Sequence, residues 1–94
     1  KIVWTKQAEI GLYKVIEYLE KEWTVEKILN LEQNLKDLLY RISKYPNICP
    51  KTKSYNNVRK GLVDKNNYIV YRTQLRKGYI EILNFRGTKQ EYMD

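Results

Sequence analysis

The sequence predicts an α+β domain in which two helices pack on one face of a small antiparallel sheet. Apolar residues recur at helical spacing through roughly the first half of the chain. The second half holds short runs that are rich in β-branched and aromatic residues, as strands are. With 94 residues the chain can build one core, so we expect a single domain over residues 1–94. The predicted order of elements is β-α-α-β-β-β.

The chain opens with a short strand and a first helix. Ile2, Val3 and Trp4 favour a strand because they are β-branched or aromatic. Thr5 is predicted to cap the helix that follows, since its hydroxyl can accept a hydrogen bond from a first-turn N–H. Steps of three and four residues then place one apolar stripe along this helix: Ala8, Leu12, Val15, Ile16, Leu19 and Trp23.

A second helix is predicted between Thr24 and Pro46. Thr24 is its candidate N-cap, and Glu26 places a negative charge in the first turn, where the helix dipole favours it. Pro46 ends the helix because the residue before a proline is disfavoured in helical geometry. The stripe of this helix repeats at intervals of 3-4-3-4-3: Ile28, Leu31, Leu35, Leu38, Ile42 and Tyr45. Two such stripes predict a hairpin of helices packed at a shallow angle.

Three strands are predicted after a loop over residues 47–53. They cover residues 54–63, 68–73 and 79–85, with turns at 64–67 and 76–78. We expect them to form an antiparallel meander, with the first strand at its edge and the helical hairpin on one face. The near-continuous apolar run of the last strand favours a central position. From residue 86 onward the sequence predicts a polar tail.

Positive charge is concentrated in the later half. Residues 1–40 contain 6 Lys/Arg and 7 Asp/Glu, whereas residues 41–94 contain 12 Lys/Arg and 4 Asp/Glu. The net charge of +7 therefore comes from the strand-forming part of the chain. A one-sided positive field indicates an anionic partner such as nucleic acid, the ribosome or an acidic protein segment. Solubility alone is the simpler alternative for a domain of this charge.

Several kinds of chemistry are disfavoured by the composition. The chain has no histidine and a single cysteine, Cys49, so a zinc cluster and a histidine base are both excluded. It also has no phosphate-binding glycine loop and no run of about 20 apolar residues. From these observations together we expect no metal, no cofactor and no membrane span. The lone cysteine fits a reducing cytosol. Arginine, lysine and tyrosine remain, which can bind phosphate or support metal-free RNA cleavage.

Five segments, taken in order, resemble one known family. They are the WTKQA segment after the first strand, the helical hairpin that ends at Tyr45-Pro46, VRKGLV at 58–63, IVYR at 69–72, and IEILNF at 80–85 with a basic tail. Together they cover almost the whole chain and resemble the RelE/ParE superfamily of bacterial toxins from type II toxin–antitoxin systems. The resemblance implies a cytoplasmic protein that is neutralised by a cognate antitoxin.

Two branches of this family imply different targets. ParE-type toxins are described as poisons of DNA gyrase, whereas RelE-type toxins cleave messenger RNA in the ribosome. The VRK, IVYR and RGTKQ runs look more like ParE, so we expect a ParE-like toxin. A RelE-type nuclease is the first alternative, and a non-toxic nucleic-acid-binding module is the second.

Basic residues on and after the late strands are the candidate site. The candidates for binding a target or an anion are Arg59, Lys60, Arg72, Arg86 and Lys89, and we expect the face away from the helices to carry them. If the chain is a nuclease, the resemblance makes Arg59, Arg86, Lys89 and Tyr92 its catalytic candidates.

Since Arg59 and Lys60 are adjacent in a strand, only one of them can line a given face. Arg72 has a structural alternative, which is pairing with Glu81 across the hairpin. Four tyrosines are candidates for aromatic surface, with a partly exposed edge of the core as the equal alternative: Tyr40, Tyr45, Tyr55 and Tyr68.

Overall fold

A computed structural model describes residues 1–22, 25–53, 55 and 57–87 of the chain. The elements follow the predicted order β-α-α-β-β-β, and the α+β class is confirmed. A short 3₁₀ turn lies at Leu75–Lys77, between the last two strands. The elements are β1 (Ile2–Trp4), α1 (Lys6–Glu22), α2 (Val25–Lys44), β2 (Val58–Asp64), β3 (Asn67–Gln74) and β4 (Tyr79–Gly87).

The four strands form one sheet in the order β1-β4-β3-β2. As predicted, β2, β3 and β4 form an antiparallel meander, and β4 has a neighbour on both sides. The sheet is nevertheless mixed, because β1 lies parallel to β4, with Ile2 opposite Ile80 and Trp4 opposite Ile82. The apolar sequence of β4 is explained by this interior position.

Thr5 joins the first strand to the first helix, as its predicted capping role requires. Its hydroxyl oxygen accepts a hydrogen bond from the N–H of Ala8 at 3.2 Å. The same hydroxyl donates to the carbonyl of Ile82 at 2.9 Å, which ties the start of α1 to β4. The other predicted cap, Thr24, and the last residue of the α1 stripe, Trp23, lie outside the described residues.

Both helices pack on one face of the sheet and build the core. Most of the predicted α2 stripe is buried there, and only its last member, Tyr45, is misplaced. Tyr45 is 66% exposed because α2 ends at Lys44, one residue short of it. Neither described helix is long and apolar enough to cross a membrane. The buried core includes Ala8, Val15, Leu31, Leu35, Leu38 and Ile42 from the helices and Ile69, Tyr71, Ile80, Ile82 and Phe85 from the sheet.

Gly11 sets the distance between α1 and the sheet. A Cβ atom at this position would lie 2.1 Å from the carbonyl oxygen of Phe85, far inside van der Waals contact. The helix backbone therefore packs directly on the backbone of β4 at this point. Any side chain at position 11 would push the two elements apart.

Two predicted boundaries are wrong. The second strand begins at Val58 rather than at residue 54, because Asn57 has a positive φ of 63° and turns the chain. The preceding segment folds back, so that the N–H of Thr52 donates to the carbonyl of Val58 at 2.8 Å. The last strand continues to Gly87, since Asn67 and Tyr68 of β3 pair with Gly87 and Arg86. Arg86 therefore belongs to a strand and not to a polar tail.

Candidate functional site

The sheet has one face covered by the helices and one face away from them, which we call the open face. Side chains alternate between the two faces along each strand, and directly opposed residues of antiparallel strands share a face. The space beside Gly61 is filled by Leu38 of α2, so Gly61 faces the helices and its neighbours Lys60 and Leu62 face away. The pairing registers then place these residues on the open face: Val58, Lys60, Leu62, Tyr68, Val70, Arg72, Gln74, Tyr79, Glu81, Asn84 and Arg86.

Three of the predicted cations lie on the open face, one from each antiparallel strand. They are Lys60 on β2, Arg72 on β3 and Arg86 on β4. Lys60 extends its ammonium over the ring of Tyr68, 4.1 Å from the ring centroid. Arg86 is exposed and lies directly opposite Tyr68 on the neighbouring strand. Tyr68 is thus flanked by a cation on either side.

The four tyrosines predicted as aromatic surface differ in exposure. Tyr40, Tyr45 and Tyr55 are 60%, 66% and 71% exposed, so these side chains do form part of the surface. Tyr68 is only 7% exposed, and for this residue the prediction is wrong. Its place on the open face, with Lys60 above the ring, explains why it is buried although it faces away from the core.

Arg72 and Glu81 form the cross-strand pair that the sequence predicted. The Nη2 atom of Arg72 lies 2.8 Å from Oε1 of Glu81. The hydrogen bond to the guanidinium lowers the pKa of the Glu81 carboxyl below its usual value. Glu81 is the one acid among the open-face residues named above, and it already has a cation. Within the described part of the chain, no acid on this face therefore compensates the charges of Lys60 and Arg86.

Arg59 occupies the face that the helices cover, so its predicted place on the open face is wrong. Its Nη1 atom donates to the carbonyl of Cys49 at 2.7 Å and to that of Asn47 at 3.3 Å. These carbonyls belong to the loop that follows α2. Arg59 thus ties this loop to β2, and the alternation that separates it from Lys60 is confirmed.

The remaining nuclease candidates give no acid–base pair within the described residues. Lys89 and Tyr92 lie outside them, and Arg86 is a permanent cation. Tyr71 is fully buried on the helix side, where its hydroxyl donates to the carbonyl of Pro46 at 2.9 Å. Burial, reinforced by the neighbouring Cys49, raises the pKa of Tyr71 and keeps its proton in place. Nor do the described residues contain a cluster of side chains with metal-ligating groups. The exposed guanidinium of Arg86 suits the binding of an anion.

A groove that the sequence analysis missed lies at the outer edge of β2. Its volume is about 480 Å³, and its lining is mostly apolar with two cations. Gly61 lets Cys49 pack closely against β2 in the wall of the groove, since a Cβ there would lie 3.0 Å from Sγ of Cys49. The signals in the sequence were the apolar residues within the 47–53 loop and a glycine inside a strand. The lining residues are Leu38, Arg41, Ile48, Cys49, Pro50, Lys60, Gly61 and Leu62.

Only the first half of the β2 edge is paired. The N–H of Thr52 donates to the carbonyl of Val58, and the N–H of Lys60 donates to the carbonyl of Pro50 at 3.0 Å. Leu62 presents its backbone in the same outward direction, because backbone groups alternate along a strand. Within the described part of the chain no segment pairs with this second half of the edge. The side chain of Leu62 is also 61% exposed.

Neither the models of known protein families nor the curated proteins contain a match to this chain. The fold and the charges of the open face therefore have to support any functional conclusion.

Proposed function

We propose that this protein is the toxin of a type II toxin–antitoxin pair and that it acts, like ParE, by binding a cellular target such as DNA gyrase. The observation that carries the proposal is the open face, where no acid among the described residues compensates the charges of Lys60 and Arg86 on the side away from the helices. The RelE/ParE-like order of helices and strands agrees with it. A cognate antitoxin, acidic where it meets these cations, would neutralise the toxin in the bacterial cytoplasm.

Binding is favoured over catalysis as the mode of action. The described open face carries the cations Lys60 and Arg86, and the strongly buried phenol of Tyr71 faces the helices instead. Arginine and lysine recognise anionic groups through charge-assisted hydrogen bonds without any proton transfer. Such a surface can hold a protein or nucleic-acid target without chemistry of its own.

Inducible expression in a bacterium tests this function. We expect growth to stop on induction, with signs of DNA damage and with transcripts intact, and growth to be restored when the antitoxin is expressed as well. Arg86→Ala, which we expect to be inactive, is induced to the same level for comparison. Normal growth on induction would contradict the proposal and favour the non-toxic binding module.

The RelE-type nuclease is the second candidate, and one arrangement favours it. Lys60 and Arg86 flank Tyr68 on the open face, so two cations surround an aromatic residue on the surface where RNA would bind. Mapping messenger RNA ends after induction separates the two functions. Cleavage at codon spacing in translated messages would support the nuclease, and the gyrase-type function would then be wrong.

A further inference from the structure

Lys60 belongs to two surfaces at once. It lines the groove beside the half of the β2 edge that no described segment pairs with, together with Arg41 and Leu62. Its ammonium, however, lies over Tyr68 on the open face, 4.1 Å from the ring centroid. One flexible cation thus stands at the boundary between a groove and an anion-binding face.

We propose that an extended, acidic segment of a partner protein adds to the β2 edge at Leu62 and competes with the open face for the charge of Lys60. The segment would continue the sheet through backbone hydrogen bonds and place apolar side chains in the groove. Its carboxylates would attract Arg41 and Lys60. This inference rests on the proposed function only for the identity of the partner, which would be the antitoxin.

The chemistry of the groove selects this occupant. Strand side chains alternate, so a segment with apolar residues at every second position can fill the groove and keep its acids beside the cations. Six apolar or glycine residues form the lining, and Arg41 and Lys60 are its only charged members. A second copy of this chain fits poorly, because pairing two such edges would bring the cations of both copies together in a protein of net charge +7.

Competition for one ammonium makes the two sites antagonistic. When Lys60 turns toward the carboxylates of the added segment, Tyr68 and Arg86 lose a neighbouring positive charge on the open face. By linkage, an anion bound on the open face weakens the segment by the same factor. Since one exposed charge is involved, we expect a mutual effect of about two- to fivefold.

The docking step can be tested with a short peptide in which acidic residues alternate with valine and isoleucine. We expect it to bind the intact protein and to shift the amide resonance of Leu62 in an NMR titration, as a new hydrogen bond at that N–H requires. The same peptide with alternate backbone nitrogens methylated is the matched control, because it keeps every side chain but loses the ladder. Equal binding of both peptides would overturn strand addition.

A protein variant gives an independent check of the edge. Leu62→Pro removes an outward N–H and leaves the β2–β3 hydrogen bonds in place, so the chain should stay folded while peptide affinity falls. Should Leu62→Pro fail to fold, the methylated peptide decides the question alone.

The coupling is measured with a fluorescent single-stranded oligouridylate as the anion probe. Saturating peptide should weaken its binding by about two- to fivefold in the wild type and in Lys14→Met, whose exposed lysine lies on α1. In Lys60→Met, which keeps an unbranched apolar side chain, the peptide should leave oligonucleotide affinity unchanged. An effect of equal size in Lys60→Met, no effect in the wild type, or no oligonucleotide binding at all would overturn the competition. Growth arrest is assayed separately, so loss of toxicity with intact coupling would count against the proposed function alone.

Discussion

Neighbouring cations on one strand have different roles here. Arg59 donates to the carbonyls of Cys49 and Asn47 and fixes the loop after α2, whereas Lys60 reaches over Tyr68 on the opposite face. The alternation of a strand predicts that they separate. It does not say which one faces the helices, because that depends on where the loop carbonyls lie. Of two adjacent basic residues in a strand, therefore, only one lies on the open face.

The ion pair between Arg72 and Glu81 should make stability depend on pH. Because the folded-state pKa of Glu81 is lowered, its contribution is complete above the unfolded-state value of about 4.3 and is lost as the pH falls through the folded-state pKa. Glu81→Gln should therefore lower the melting temperature at pH 7, and the difference from the wild type should shrink as the pH falls below about 4.3. Thermal unfolding of both proteins at each pH, with Glu17→Gln on the exposed side of α1 as the charge control, measures this. A gap that persists in acid would contradict the assigned pair.

Gly11→Ala tests the close approach of α1 to β4. Helix propensity alone would make this change stabilising by about 1 kcal/mol. The added Cβ would lie 2.1 Å from the carbonyl oxygen of Phe85, however, so the clash decides the sign. We expect a loss of about 1–3 kcal/mol in the free energy of unfolding, measured by urea denaturation. Lys14→Ala, one turn further along the exposed side of α1, should change it by less than about 0.5 kcal/mol. A more stable Gly11→Ala protein would show that the helix sits further from the sheet.

At the level of elements, the two helices were the most predictable part. Their apolar stripes and the cap at Thr5 are local in sequence, so α1 and α2 follow from spacing alone. The start of β2 and the end of β4 were not predictable in this way. Asn57 turns the chain through a positive φ, and Arg86 joins β4 only because β3 is long enough to pair with it. Such boundaries depend on partners that lie far away in sequence.

The groove beside β2 escaped prediction for a related reason. It needs Leu38 from α2, Pro50 from the loop and Gly61 from β2 to meet at one place. Each of these residues has an ordinary local interpretation. A glycine in a strand indicates that another group packs closely on the backbone there, but the sequence does not identify that group.

Leu35→Ala tests the packing of α2 on the sheet. Leu35 is 8% exposed and belongs to the core, so truncation should cost about 2–5 kcal/mol through lost burial and the cavity left behind. Leu29 on the same helix is 59% exposed, and Leu29→Ala should cost less than about 1 kcal/mol. Denaturant unfolding of both variants compares the two sides of the helix. Equal losses would mean that α2 presents a different side to the sheet.

For the whole molecule, the core and the exposed cations lie on opposite sides of the sheet. The helices and the buried side of the sheet provide stability, while the open face carries Lys60, Arg72 and Arg86. Of these three, Arg72 is neutralised by Glu81, so the positive field comes from the other two. Because the core does not need these three side chains, they can change without unfolding the protein.

Arg86→Ala is the most direct test of the claim that this face is the functional one. Arg86 is exposed, so we expect an unchanged melting temperature. Loss of one charge-assisted contact should weaken target binding by about tenfold or more, so induced cells should keep growing. Lys14→Ala, which removes a cation from the helical side, should still arrest growth. If colony counts after induction fall equally for the wild type, Arg86→Ala and Lys14→Ala, the open face is not where this protein acts.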